Sequence, residues 1–550
     1  MRWLDWGPDA FKLAKKGDKP VLLAITSPYP SICRLMDRET WSDADVAKFA
    51  EAEYVCVRVD ADRFPDVNER YNCGALPSTV FLTPEGDLLW GATFIPPDDM
   101  RVTLARLKAG FETNRAKLAE AIKERDTRVT RAQLGVYDNP PEMSQEILRR
   151  TLRGIVGMYD PLFGGFGKAP KFPLAGSLAA LLQAFSESGG GEFEGILLKT
   201  LDVIGDRGLF DPVEAGFFAC SRSEAWTQPE TEKLLADQAA LIRIYLDAGQ
   251  IFESPGYLAK GTATIDYVRR RLFDAERGLF LAGQAADPEY YIVDAAARAK
   301  RAAPEVPAAA YVDGGALMVS TLLRAAVILP DDDLGASAVK SLQVLLGEGR
   351  DPKGGMAHTL VGEPRVAGLL RDQVCVAAAL LDAYEWAADD RFYAEAERLL
   401  DFTMDRFWDK RDGGLLDRIT GRDELGELSK RRRRIGEAAL AARSLARLGR
   451  HDEAKRVLTS FPDYREDYGH HSAEYAIAVD SLVGATTTIT LEFPSSDAAL
   501  PAMRTAALQL YVPRRNVRHV RGEARRAVVK RGGKETSAAT PAELAKLLNE

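Results

Sequence analysis

Two stretches of this sequence gather side chains able to do chemistry. The first surrounds Cys33, in Pro30-Ser31-Ile32-Cys33-Arg34. A thiol near a helix start, with an arginine beside it, can be held as the nucleophilic thiolate. Dithiol exchange also needs an attacking thiol three positions earlier, and proline stands there. Cys33 reads either as a lone reactive thiol or as a small buried apolar side chain, and Cys73, four residues before Pro77, is the other sulfur expected to face it. The second stretch holds Glu230, Glu232, Lys233 and Asp237. Carboxylates lining a pocket can act as acid and base, as in glycosidases, while on a helix surface the same residues form salt bridges. Histidine titrates near neutrality, so His358, His470 and His471 join the candidates, although the adjacent pair also reads as a solvated helix start. Trp226, Tyr290, Tyr291 and Trp386 offer either stacking faces for a sugar or core aromatics. Lys430–Arg434 reads as a site for phosphate or an acidic partner, or as a solvated face.

The elements that must position these residues change character along the chain. Val21–Ile25, Tyr54–Asp60, Leu76–Leu82 and Leu88–Trp90 are short apolar runs bounded by turn residues and predict strands. Helices are predicted over Asp43–Ala52, capped by Ser42, and near Met100–Leu118, which gives an α/β domain over residues 1–125. From 140 to 485 the pattern is Ala- and Leu-rich and helical, as in Leu178–Phe185, Asp237–Gln250, Ala316–Ile328, Val374–Trp386 and Ala438–Leu448. A repeat of Asp, then Gly, then an apolar anchor begins at Asp160, Asp211, Asp274, Asp351 and Asp409, with spacings of 51, 63, 77 and 58 residues. That spacing fits a helical hairpin per unit, and a ring of such hairpins is an all-α toroid with its pocket where the inner helices begin. Residues 486–550 predict a small α/β segment with strands at Thr487–Phe493 and Asn516–Val520 and a helix over Ala498–Leu510.

Several motifs in order, Trp3 and Trp6, Asp18-Lys19-Pro20-Val21, Cys33-Arg34-Leu35-Met36, Glu39-Thr40-Trp41, Leu76-Pro77-Ser78-Thr79-Val80-Phe81-Leu82 and Ile95-Pro96-Pro97, resemble a thioredoxin-domain family whose animal members are called spermatogenesis-associated proteins. Its bacterial members join that domain to an (α/α)6 barrel. Gly164-Gly165-Phe166-Gly167-Lys168-Ala169-Pro170-Lys171-Phe172-Pro173 and the Pro229–Asp237 stretch continue the likeness. The resemblance implies that Pro77 is the cis-proline beside the thioredoxin site, and that the barrel is similar to N-acylglucosamine 2-epimerase and six-hairpin glycosidases. It implies a carbohydrate-type pocket, and the candidate ligand-binding residues read from the sequence are Lys168, Trp226, Tyr290 and Trp386. Where the family has Cys-His-Trp-Cys-His this chain has lost the first cysteine, its histidine after proline is Glu230, and the tail lacks the family's two cysteines.

Composition bounds the function. With 550 residues, 46% hydrophobic and 28% charged, the chain reads as a multidomain globular protein. A net charge of −8 gives no general attraction to nucleic acid or anionic membrane, and no span of membrane-crossing length is present. Five scattered cysteines without a C-x-x-C predict neither disulfides nor a zinc site. The expectation is a cytoplasmic protein without dithiol redox activity, metal or cofactor, whose barrel binds a small polar or sugar-like ligand or a protein partner. The alternatives are a carbohydrate-active epimerase or hydrolase using barrel carboxylates, and a monothiol redox protein acting through Cys33.

Overall fold

The computed structural model describes all residues except 116, 119, 125–141, 420, 422, 423, 462–469, 495 and 550. The boundary expected between 125 and 140 lies outside the described residues. The chain divides into two units, one of residues 1–136 with 285–287 and 416–433, the other of 137–284, 288–415 and 434–550.

In the first unit the apolar run Val21–Thr26 (β2) is buried throughout and so takes the middle of a sheet. It pairs in parallel with Val55–Asp60 (β3), which in turn pairs with Leu4–Asp5 (β1). On its other side it runs antiparallel to Ser78–Leu82 (β4), and β4 to Leu88–Ala92 (β5), giving the order β1-β3-β2-β4-β5. Alternate residues of β2 serve two cores, Val21, Leu23 and Ile25 on one face and Leu22 and Ala24 on the other. Helices Pro8–Gly17 (α1) and Pro65–Tyr71 (α4) supply Phe11, Val67 and Tyr71 to the first face. Ser31–Glu39 (α2), Ala44–Glu53 (α3) and Pro97–Thr113 (α5) supply Met36, Val46 and Leu104 to the second. The Leu76–Pro77 peptide is cis.

Segment 416–433 is built into this unit. Leu428 enters its core, Asp417 takes a fork of hydrogen bonds from Arg70 at 2.7 and 3.0 Å, and Arg418 pairs with Asp66 at 3.1 Å. The basic run is therefore not a solvated face. Arg432 donates to the Glu69 carbonyl at 2.7 Å, Lys430 pairs with Glu427 and Arg433 is buried.

In the second unit six helices pack side by side and close on themselves: Ala175–Ser188 (α7), Leu235–Ile251 (α9), Val312–Ile328 (α11), Leu370–Ala387 (α13), Ile435–Arg447 (α15) and Ala473–Val483 (α17). Each touches the next and α17 touches α7. Outside them run Gln145–Gly157 (α6), Glu192–Val203 (α8), Pro255–Arg271 (α10), Asp332–Glu348 (α12), Asp390–Arg406 (α14) and His451–Leu458 (α16), and α6 completes the outer layer beside α17. This is an (α/α)6 toroid.

The repeated Asp motif makes the turn from each outer helix toward the next inner one. In all five copies the Asp carboxylate accepts the backbone N–H two residues on: Leu162, Val213, Glu276, Lys353 and Arg411, at 2.7–3.1 Å. Gly165, at φ 75°, must be glycine, because a Cβ there would meet Trp226 at 2.4 Å. Two copies are pinned from the following inner helix. Gln238 exchanges hydrogen bonds with both backbone groups of Phe217, and Gln373 does the same with Met356.

Thr487–Phe493 (β6) alternates buried and half-buried residues and centres a four-stranded sheet of order β7-β6-β8-β9, with Arg515–Arg521 (β7), Arg526–Arg531 (β8) and Lys534–Ala538 (β9). Leu500–Gln509 (α18) and Pro541–Asn549 (α19) cover one face through Met503, Leu508, Leu544 and Leu548. Among the described residues no helix is long and apolar enough to cross a membrane.

Candidate active site in the barrel mouth

Five of the six inner helices start with an acidic residue in the first turn: Asp237, Asp313, Asp372, Glu437 and Glu474. A carboxylate there faces the positive end of the helix dipole. Asp313 lies one turn above Leu317, and Glu437 one turn above Leu440. Both leucines, with Glu474, line a lumen cavity of about 320 Å³. The N-terminal end of the inner helices therefore carries a ring of carboxylates, of which Glu474 lines the lumen cavity and Asp372 is fully buried.

His358 enters this ring from the loop that follows the fourth Asp turn. Its backbone is fixed on both sides, its carbonyl accepting from Val312 N–H at 2.9 Å and its N–H donating to Val366 at 2.7 Å. Its ring stacks on Tyr311, with centroids 4.7 Å apart and planes 7° from parallel. Nδ1 lies 3.0 Å from Asp372 and 3.8 Å from Asp313, and Arg371 pairs with Asp313 at 2.7 Å. Asp372 is fully buried and its Oδ2 has no hydrogen-bond partner among the described residues. Burial pushes its carboxyl up to about 6 in spite of His358. Asp313 is pulled the other way: against the desolvation, Arg371 and His358 hold it below the ordinary range. Asp237, desolvated in the first turn of α9, is also raised to about 6.

The ligand atoms of Asp313, His358 and Asp372 lie within 4.8 Å of one another, the reach of a metal site. The chemistry of the set argues for a proton site instead, because Arg371 already supplies a cation to Asp313.

Several residues expected at the pocket lie elsewhere. Lys233 is sealed in the core, donating to Asp211 at 2.8 Å and the Ala215 carbonyl at 2.7 Å among the rings of Phe218, Tyr267 and Tyr291. Arg298 holds the same Asp211 at 2.8 Å. Glu230 sits in a short strand pair with an ion pair to Arg222 at 3.2 Å, and Glu232 is buried; neither lines the lumen cavity. Trp226 offers no face to a ligand, being fully buried with its Nε1 on the Gly164 carbonyl. Tyr290 is likewise a core ring, bonded to Glu214 and covered by Arg298. Trp386 is half-buried, packing beneath Arg504 against the core of the C-terminal sheet module, and Lys168 is exposed. His470 and His471 contact each other just before α17, desolvation lowering His470, and neither lines the cavity.

In the first unit Cys33 is 1% exposed in the first turn of α2, and Arg34 is occupied by the carbonyls of Pro28, Tyr29 and Ala286. Cys73 packs at the edge of one sheet core, where desolvation raises its thiol. All five cysteines are free thiols.

Residues 1–138 match the family model Thioredox_DsbH, described as "Protein of unknown function, DUF255". That match covers the sheet and helices of the front unit as far as Thr113. Spermatogenesis-associated protein 20 of Homo sapiens is 28% identical over 306 residues, 52% of this chain and 39% of that protein. A Caenorhabditis elegans relative, "Uncharacterized protein B0495.5", is 30% identical over 300 residues, 52% of this chain and 41% of its own length. The chain thus spans about two-fifths of the curated relatives it matches. Among solved structures, D-mannose isomerase is similar over 61% of this chain and 98% of its own, with TM-score 0.47 and 14% identity. Cellobiose 2-epimerase of Spirochaeta thermophila is similar over 62% and 85%, with TM-score 0.44 and 15% identity. This chain has a cis peptide at Leu76–Pro77 and one cysteine, Cys33, in the stretch Pro30–Arg34.

Proposed function

We propose that the barrel mouth performs acid–base chemistry on a small polar, sugar-like molecule, and that the thioredoxin-like unit holds or docks a partner without dithiol turnover. The observation that carries this reading is His358, stacked on Tyr311 and held by Asp372 inside a ring of carboxylates. A carboxylate on one imidazole nitrogen fixes the tautomer and orientation of a base. Asp237, its carboxyl near 6, is protonated part of the time at neutral pH and suits the return of a proton. Hydroxyl-rich molecules match such a ring, since each carboxylate accepts a hydroxyl hydrogen bond.

The test follows mannose, glucose and N-acetylglucosamine in deuterated water by proton NMR, watching for exchange at the carbon beside the carbonyl and for new sugar signals. The reading expects exchange that is lost in His358→Asn and falls at least about a hundredfold in Asp237→Asn. Turnover that survives both substitutions, or no exchange with any sugar of the panel, sinks it.

A further inference from the structure

At the other end of the lumen the chemistry reverses sign. A cavity of about 320 Å³ there is walled by arginines of α9, α11 and α15 and by segment 511–518 of the C-terminal module. Among the described residues five carboxylates pair with four of its seven arginines. Asp247 serves both Arg243, at 2.8 Å, and Arg324, at 3.0 Å. Asp382 and Glu385 serve Arg447 at 2.8 and 3.0 Å, and Asp480 and Glu187 serve Arg514.

Among the described residues three arginines are left without a carboxylate. Arg515 donates only to the carbonyls of Leu508 and Leu510, at 2.9 and 2.7 Å. Arg518 reaches only the Arg447 carbonyl, at 3.4 Å. Arg443 makes no hydrogen bond or ion pair among the described residues, although it lies on the wall shared by this cavity and the lumen. Cations gathered around one cavity without a carboxylate repel one another unless something answers them. The electrostatics agree with the geometry: desolvation and Arg324 push Arg515 down to about 9, and desolvation with Arg243 and Arg447 lowers Arg443 against the pull of Glu474.

We propose that this end of the barrel binds a small phosphorylated molecule, its phosphoryl group taken by Arg443, Arg515 and Arg518. Planar guanidinium forks match phosphate oxygens in pairs, and the cavity has the size of a small-ligand pocket. The α/β module, which supplies two of the three arginines, then serves as part of a binding site as well as a cover for its own sheet. The inference does not depend on catalysis at the mouth, but it narrows the substrate class if that reading holds. Arg443 lies six residues along α15 from Glu437, about 9 Å along the axis, so one phosphorylated sugar can reach from the arginines toward the carboxylate ring.

Titration calorimetry on the full chain, with glucose 6-phosphate and glucose as probes, tests it. The expected result is binding of the phosphorylated sugar alone, weakened by added salt, and weakened at least about tenfold by Arg443→Gln. Arg443→Gln removes a cation with no partner and is expected to leave the melting temperature unchanged or higher. Should that variant fail to fold, Arg518→Gln, whose one long hydrogen bond matters little to stability, decides by the same loss. Glucose binding as tightly as its phosphate, no binding of either, or affinity unchanged in the folded variants overturns the proposal. Loss of sugar turnover in Asp237→Asn with phosphate binding intact separates failure at the mouth from failure at this end.

Discussion

Replacing Asp211 by Asn tests the buried charge cluster of the second repeat with almost no change of shape. In the native protein Asp211 and Lys233 are fully buried, Arg298 nearly so, and the one carboxylate answers both cations at 2.8 Å. The amide keeps the volume but leaves two desolvated cations facing a neutral group. Breaking a buried ion pair from one side costs about 3 to 5 kcal/mol. Urea unfolding at neutral pH, followed by tryptophan fluorescence, is expected to lose that much, and Asp211→Asn combined with Lys233→Met is expected to lose much less than the two single losses added. The sign of the pH dependence follows from Lys233. Burial lowers its folded value to about 8, against 10.5 for an ordinary lysine, so between those limits the unfolded chain binds the extra proton. The wild type should therefore gain on Lys233→Met as pH rises through that window, by about 3 kcal/mol in all, and the gain is lost as pH falls back toward 8. A loss under about 1 kcal/mol in Asp211→Asn, or additive losses in the double variant, would refute a coupled buried cluster.

Gly165→Ala forces a Cβ into the Trp226 ring at a left-handed backbone position and should cost more than about 2 kcal/mol by the same unfolding assay. Gln373→Ala strips both hydrogen bonds from the backbone of Met356 and should destabilise by about 2 kcal/mol or more, whereas an exposed glutamine replaced as a control should change little. Alkylation of the native protein with mass mapping should label Cys73 first and the four buried cysteines slowly, with no catalysed reduction of insulin disulfides. Rapid labelling of Cys33 would show that its thiol is available after all.

The strands of the first unit were readable because each is a short apolar run between turn residues, and β2 and β3 fall within a residue of expectation. The toroid was readable from five Asp-Gly turns, since each turn is made by local hydrogen bonds that sequence spacing records. The site was only half readable. His358 stood out as one of five histidines, but Asp372 and Asp313 matter through the meeting of two helix starts and a loop, which no local pattern reveals. One signal was available: Leu-x-Asp-Gln recurs at Leu235–Gln238 and Leu370–Gln373, where the glutamine clamps the preceding turn and the aspartate joins the mouth. Lys233 misled because a lysine between acidic residues looks like surface charge, when its stem and ammonium are enclosed by aromatic rings. The contiguous basic run drew attention away from arginines scattered between 243 and 518, whose convergence exists only after folding.

The packing of α17 against α7 has a consequence during synthesis. The first inner helix cannot find its last neighbour until residues 473–483 have left the ribosome, roughly three hundred residues later, or on the order of 15 to 60 seconds of elongation. Throughout that interval the growing arc carries an apolar flank, including Leu178 and Leu181, that native packing will cover. Nascent chains of this protein should accordingly be clients of holding chaperones, and ribosome-stalled chains ending before Ala473 should aggregate where those ending after Val483 do not.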